Sequence, residues 1–266
     1  MRAGANDSDA TARVALPLGR HDLLAVEAPL EVRLGGKPLT ILMRTPGHDE
    51  ELVAGFLFGE GVIADADELL SVERPADLPD AERGNVLNVS LMTARQLPGE
   101  RLFFSNSSCG ICGKQSLASI EVTGDPVRSA LTVSRAVLAA LPERLRVAQP
   151  VFARTGGTHA SGLFTPTGEL VAVREDVGRH NALDKLVGWA LTEGRVPLSD
   201  HLLLVSGRLS YELVQKAVAA GIPLVAAVGA PSSLAVDLAE RFSVTLVGFL
   251  REDSMNVYTH AARVTG

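Results

Sequence analysis

The chain of 266 residues has two cysteines, one tryptophan and no long basic run. Each shortage excludes something. Cys109 and Cys112 are its whole cysteine complement, too few for the disulfide framework that staples small secreted domains. No window approaches the roughly 18 apolar residues of a membrane-spanning helix, so no membrane partner is expected. Aromatic residues make up only 4%, which leaves Val, Leu and Ala to build the core and suits α/β packing. The net charge is −6. Duplex binding needs clustered Lys and Arg to neutralise phosphates, so no nucleic acid partner is expected either. The opening stretch MRAGANDSDATAR lacks the charged head and apolar centre of a signal peptide. The expected location is therefore cytoplasmic.

Apolar residues reach 46% and charged residues 21%, enough for a sizeable core in one large domain or two modest ones. Residues 1–20 read as a flexible tail. In PLEVRLGGKPLTILMR (29–44) apolar residues alternate around Gly35-Gly36, which predicts a hairpin. TPGHDEELVAGFLFGEGVI (45–63) predicts a helix with acidic residues at its positive end. NVLNVSLM (85–92) predicts a strand. Together these give a small α/β domain over 21–105. A cysteine loop and linker follow at 106–132, and a second domain at 133–266.

In the second domain Ser134 caps a helix over 134–145, and 160–175 forms a hairpin turning at Thr165–Gly168. Helices over 181–194, 211–221 and 232–242 alternate with apolar strands over 201–206, 222–230 and 243–250. Continuously apolar strands between amphipathic helices indicate a sheet covered on both faces and partly parallel. The fold class is α/β (α+β). Ligands bind such sheets where strands end and helices begin. Three such ends carry glycine, hydroxyl or charged residues: SGRLS (206–210), GAPSS (229–233) and REDSMN (251–256).

The cysteines lie in SSCGICGKQSL (107–117). A structural zinc site takes four ligands, often as two close pairs. There is no second cysteine pair, and the six histidines form no close pair. A mixed site would have to borrow His159 or His180. A dithiol switch has the right spacing, but Gly110 and Gly113 favour motion over a fixed redox geometry. Sulfur transfer needs an accessible thiolate, which Lys114 favours, on a segment able to visit a donor and an acceptor. Inert core thiols are the bland alternative, poorly matched to Gly, Ser, Asn and Lys neighbours.

Three further clusters are candidates. In TGGTHASGLF (155–164), Gly156-Gly157 allow close backbone approach, and Thr158 and His159 can bond a phosphate or base. An ordinary turn is the plainer reading. In VREDVGRHNALDK (173–185), Arg174, Arg179 and Lys185 can receive an anion. Equally, the stretch is a solvated helix start with internal pairs such as Asp184 with His180. In HLLLVSGRLSYELVQK (201–216), Ser206, Gly207 and Arg208 form an anion cradle or merely a tight turn. Neither GxxxxGK[ST] nor GxGxxG occurs.

Taken together, MRTPGHDEELVAGFLFGEG, SSCGICGK, TGGTHASGLF, VREDVGRHNALDKLVG, SGRLSYELVQKA, GIPLVAAVGAPSSLAVDLAE and LVGFL…NVYTH resemble the FdhD family of formate dehydrogenase accessory sulfurtransferases, over about 27–260. The resemblance implies a cytosolic homodimer. It implies a β-grasp-like N-terminal α/β domain and a cytidine-deaminase-like C-terminal mixed sheet with helices on both faces. The implied chemistry takes sulfur from a cysteine desulfurase as a cysteine persulfide. It passes the sulfur to the bis-molybdopterin guanine dinucleotide cofactor of molybdenum or tungsten, as formate dehydrogenase requires. Cys109 matches the family's persulfide cysteine, with Cys112 assisting.

Phe249, Leu250, Arg251, Glu252, Asp253 and Ser254 match part of its guanine dinucleotide site. A GDP-like nucleotide can occupy that site. Thr158, His159, Arg179, His180, Ser206, Gly207 and Arg208 are the further cofactor contacts expected. No zinc is expected: where zinc deaminases carry P-C-x-x-C, this chain has Pro231 followed by Ser232 and Ala235, and no H-x-E precedes them. Family members often carry Gly or basic residues after the arginine matching Arg251, where this chain has Glu252 and Asp253. Acidic side chains repel phosphate, which makes Arg251 and backbone N–H groups the stronger contacts.

Overall fold

The structure is a computed structural model and describes residues 10–92 and 125–266. Cys109, Cys112, Lys114 and most of the cysteine loop lie outside the described residues, as do 1–9 of the expected tail.

The chain opens with strands β1 (Thr11–Ala15) and β2 (His21–Ala25), paired antiparallel from Thr11↔Ala25 to Ala15↔His21. This corrects the expected tail: residues 11–15 are a strand. The turn at Pro17–Gly19, with Gly19 at φ 73°, folds the segment back, and Arg154 Nη2 donates to Thr11 Oγ1 at 2.9 Å. Next come β3 (Ala28–Leu34), β4 (Lys37–Arg44), α1 (Asp49–Gly59), β5 (Leu69–Glu73), α2 (Asp80–Arg83) and β6 (Val86–Leu91). They build a sheet in the order β4-β3-β6-β5. The helix predicted from residue 45 begins only at Asp49, because Gly47 and His48 have φ 104° and 56°, a left-handed turn rather than a helical one.

The second part runs β7 (Val133–Ser134), α3 (Arg135–Val147), α4 (Pro150–Thr155), β8 (His159–Phe164), β9 (Leu170–Asp176), α5 (Arg179–Thr192), β10 (Leu202–Val205), α6 (Tyr211–Ala219), β11 (Leu224–Ala227), α7 (Ser233–Arg241), β12 (Thr245–Gly248), β13 (Asn256–Val257) and β14 (Val264–Thr265). Ser134 caps α3 by accepting from Val137 N–H at 3.2 Å, and Ser232 caps α7 by accepting from Ala235 N–H at 3.3 Å. Six strands form one mixed sheet, β9-β8-β10-β11-β12-β13. β10, β11 and β12 are parallel, so α6 and α7 are the crossovers that parallel pairing demands.

Alternation along the central strands divides the core. Leu203, Val205, Val225, Ala227 and Leu246 pack with α1, α5, α6 and α7. Leu202, Leu204, Leu224, Ala226 and Val247 pack with Leu138, Leu141 and Leu145 of α3. The sheet is therefore covered on both faces.

The first of these clusters also contains Leu30, Val32, Leu52, Val53 and Leu87, so one apolar core runs through both parts of the chain. Its seam is the packing of α1 on α5. Gly55 and Gly188 lie at the crossing: a Cβ on Gly55 would overlap the carbonyl oxygen of Asp184, and one on Gly188 that of Glu51. Glycine at both positions lets the backbones touch. Because α5 lies between the sheet and α1, nearly all of it is buried, including His180, Asp184 and Lys185.

Candidate functional site

Strand direction brings distant residues to one edge. β10, β11 and β12 run parallel, so their carboxyl ends lie side by side, followed by Ser206–Arg208, Gly229 and Phe249–Ser254. β8 is antiparallel to β10, which puts its first residue, His159, at the same edge. β9 in turn is antiparallel to β8, with Asp176 opposite His159. Helices α5, α6 and α7 all start there, bringing their positive dipole ends. His159, Arg179, His180, Ser206, Gly207, Arg208 and the 249–254 segment are thus gathered from stretches far apart in sequence.

The edge is assembled by backbone contacts. Gly229 N–H donates to Gly207 O at 2.9 Å, and Phe249 N–H donates to Gly229 O at 3.0 Å. A Cβ on Gly229 would lie 2.8 Å from Gly207 O, so glycine is required for this approach. Gly207 adjoins two candidate side chains: a Cβ there would be 3.3 Å from His159 Nδ1 and 3.9 Å from Arg179 Cδ. Ser206 fastens β10 to β8, its Oγ accepting from Ala160 N–H at 2.9 Å and its N–H donating to Ala160 O at 2.9 Å.

After β12, Phe249 takes φ 52° and the residue is 45% exposed. Leu250 is fully buried on the α3 side of the sheet, so it can offer the edge only backbone atoms. Arg251 is exposed and leans back, Nη1 donating to Val228 O at 2.6 Å and Leu250 O at 2.9 Å. Glu252, Asp253 and Ser254 are exposed. The Ser254 hydroxyl bonds Asp253 Oδ1 at 3.3 Å, and Ser254 O accepts from Arg251 N–H at 2.8 Å.

Burial holds the His159 pKa below the usual histidine range, and the neighbouring Arg179 guanidinium depresses it further. The buried Thr158 hydroxyl donates to Glu175 Oε1 at 2.9 Å. Glu175 also accepts from the N–H groups of Val151 and Phe152 at the start of α4. Thr158 is tied to this capping carboxylate.

Of the three cations expected in 173–185, only Arg179 adjoins the edge residues. Arg174 forms a bidentate pair with Glu51 at 2.5 and 2.9 Å, and Lys185 is buried against Asp176 at 2.7 Å. Asp176 also accepts from Thr45 N–H, Gly178 N–H and Asn181 Nδ2, binding the first part of the chain to the start of α5. The internal pair of Asp184 with His180 is replaced as well. Asp184 meets Lys216 at 2.7 Å, and His180 meets Glu212 at 3.0 Å. Ser210 and Gly229 fall in the strand-end stretches read from the sequence but were not named as contacts, and Glu212 was not singled out at all. Their signal was position alone, at or beside starts of helices that follow buried strands.

A cavity of about 180 Å³ lies elsewhere, lined by Thr45, His48, Pro150, Arg174, Glu175 and Lys185 among others. No residue of the 206–208 or 249–254 segments lines it, and its charged groups already have the partners just described. Among the described residues, no cluster of His, Asp and Glu could hold a metal ion, and no helix is long and apolar enough to cross a membrane.

The family profile described as FdhD/NarQ family matches residues 25–265. The chain belongs to that family. Over 260 residues it is 52% identical to the sulfur carrier protein FdhD of Mycobacterium tuberculosis, covering 92% of this chain and 93% of that one. It is 54% identical over 257 residues to the sulfur carrier protein FdhD of Streptomyces avermitilis, covering 92% and 90%. Among solved structures it superposes on a chain assigned as a formate dehydrogenase accessory protein from Desulfotalea psychrophila. That match has a TM-score of 0.70 and 26% identity, over 96% of this chain and 97% of that one.

Proposed function

We propose that this protein is a persulfide-type sulfurtransferase, a sulfur carrier serving formate dehydrogenase. A cysteine desulfurase is the donor. The Cys109 thiolate attacks the outer sulfur of the donor's cysteine persulfide. The donor's S–S bond breaks, its thiolate leaves, and Cys109 retains the sulfane sulfur with no net oxidation or reduction. Cys112 assists. The acceptor is the bis-molybdopterin guanine dinucleotide cofactor of molybdenum or tungsten: attack of the Cys112 thiolate on the inner sulfur of the Cys109 persulfide would break its S–S bond, close a Cys109–Cys112 disulfide and release the outer sulfur as sulfide, the oxidation level of a metal ligand. We place the work in the cytoplasm, by a homodimer with a deaminase-like C-terminal domain and a β-grasp-like N-terminal one.

The observation that carries this reading is the convergence, in a member of this family, of a glycine-lined edge with three arginines. The residues fit a guanine dinucleotide. Gly207 and Gly229 let the strand ends and the His159 side chain pack closely where a side chain would intrude. Arg179, Arg208 and Arg251 supply positive charge for phosphates. The exposed Phe249 ring offers a stacking face for a base. Glu252 and Asp253 repel phosphate and turn the favourable surface toward Arg251 and the strand ends.

Two measurements test the proposal. Mass spectrometry after incubation with a desulfurase and cysteine should find one added sulfur on Cys109. A Cys109–Cys112 disulfide alone would support a dithiol oxidoreductase instead. In cells lacking the native protein, Cys109→Ala should leave formate dehydrogenase inactive. Full activity with that variant would reduce the protein to a cofactor-binding chaperone.

A further inference from the structure

Beneath the edge, α5 and α6 share a ladder of buried ionisable groups. His180 and Glu212 are 8% and 7% exposed, and His180 Nε2 lies 3.0 Å from Glu212 Oε2 and 3.0 Å from Ser210 Oγ. One turn on, Asp184 and Lys216 meet at 2.7 Å, and Glu60 beyond α1 stands 4.0 Å from Lys216. The i,i+4 spacing on each helix stacks the two pairs. Leu183, Leu186, Leu213 and Ala217 bury the apolar parts of the same helices. Apolar side chains could also have joined α5 to α6 here, without the desolvation that charges suffer. The ladder therefore calls for a chemical role.

A carboxylate only accepts hydrogen bonds, so contact with Glu212 requires a proton on Nε2. The neutral ring then carries no proton on Nδ1, the only atom left to gain one.

We infer that Glu212 is a positioning residue that fixes His180 as an Nε2–H imidazole, making Nδ1 the atom at which this edge takes up and releases a proton. The inference rests on the reading of the edge as the cofactor site. Around His180, Arg179 on α5 and His159 on β8 oppose a second positive charge, while Glu212 on α6 favours it. Asp184 is offset by Lys216. Burial opposes the charge on Lys216, but Asp184, Glu60 and Glu212 outweigh it and raise its pKa. Glu212 is thus, among the described residues, the carboxylate in direct contact with the His180 ring. An arriving phosphate would shift the balance the same way by offsetting Arg179.

The test is nitrogen NMR of the full chain labelled at histidine, titrated between about pH 5 and pH 8, for wild type, Glu212→Gln and Glu212→Asp. The expected result is an Nε2–H tautomer in the wild type. Glu212→Gln should lower the His180 midpoint relative to wild type, and Glu212→Asp should restore part of the difference. Binding of guanosine diphosphate, followed in parallel, should move its pH dependence the same way. A purely structural Glu212 would alter thermal stability without moving either profile. An Nδ1–H tautomer, or an unchanged midpoint in Glu212→Gln, overturns the inference. If Glu212→Gln does not fold, the wild-type tautomer and Glu212→Asp decide. If the nucleotide fails to bind wild type at every pH while tautomer and midpoint behave as expected, the cofactor-site reading fails and the assignment of Glu212 stands.

Discussion

Gly55 and Gly188 face each other where α1 crosses α5, and neither has room for a Cβ. Two effects compete when alanine replaces either one. Helix propensity alone would stabilise by about 1 kcal/mol. Overlap with a backbone carbonyl that cannot swing aside costs about 1–3 kcal/mol or more. The overlap should win. Gly188→Ala is expected to lower the thermal midpoint by about 2–4 °C per kcal/mol of net loss. A midpoint at or above that of wild type would contradict the crossing.

The join between the two parts of the chain is also polar. Asp176 and Lys185 are almost wholly buried and 2.7 Å apart. Lys185→Met should leave the Asp176 charge facing only hydrogen-bond donors, a loss of about 3–5 kcal/mol. Adding Asp176→Asn should recover part of it, and a double-mutant cycle in urea measures the coupling. Strict additivity would show that the pair does not interact.

Much of this fold is legible in the sequence. Gly35-Gly36 marks the β3–β4 turn and Thr165–Gly168 the β8–β9 turn, while Ser134, read as a helix cap, does cap α3. The less legible elements are short and partly exposed. β5 (LLSVE) pairs on one side only, α4 has six residues, and β1 is half-solvated, so none has the periodicity that burial on one face imposes. The edge was readable from strand ends followed by helix starts, the rule that topology imposes on such sheets. Pairing was not. The same charged stretch yields Arg179 beside the strand-end edge, the part-buried pair of Arg174 and the buried pair of Lys185, because Glu51 reaches Arg174 only after α1 packs on α5, and Asp176 reaches Lys185 only after α5 packs back on β9.

Acid should separate one of these ion pairs from the rest. Burial tends to raise the pKa of Asp49, but the hydrogen bonds and charges of Arg44 and Arg74 outweigh it and hold the pKa below the usual carboxylate range. With the folded value depressed, the contribution is complete above the unfolded value, about pH 4. It is lost as pH falls through the folded value. Asp49→Asn should therefore destabilise by a constant amount above about pH 5 and by progressively less below pH 4. Chemical denaturation of both proteins across this range measures it. A gap that widens in acid would reverse the assigned sign.

Phe249 permits a test in which stability and binding respond differently. Its φ of 52° is left-handed, a conformation that costs a residue with a Cβ about 1–2 kcal/mol. The residue is exposed and recovers little of this through burial. Phe249→Gly relieves the strain, although glycine also loses more freedom on folding. The folded state should be unchanged or slightly more stable. If the ring is the stacking face for guanine, the same variant should weaken guanosine diphosphate binding by about tenfold, equal to 1.4 kcal/mol. Calorimetry of binding beside thermal melting reads both quantities from one protein. Stability falling with affinity intact would make Phe249 a structural residue and move the base elsewhere along the edge.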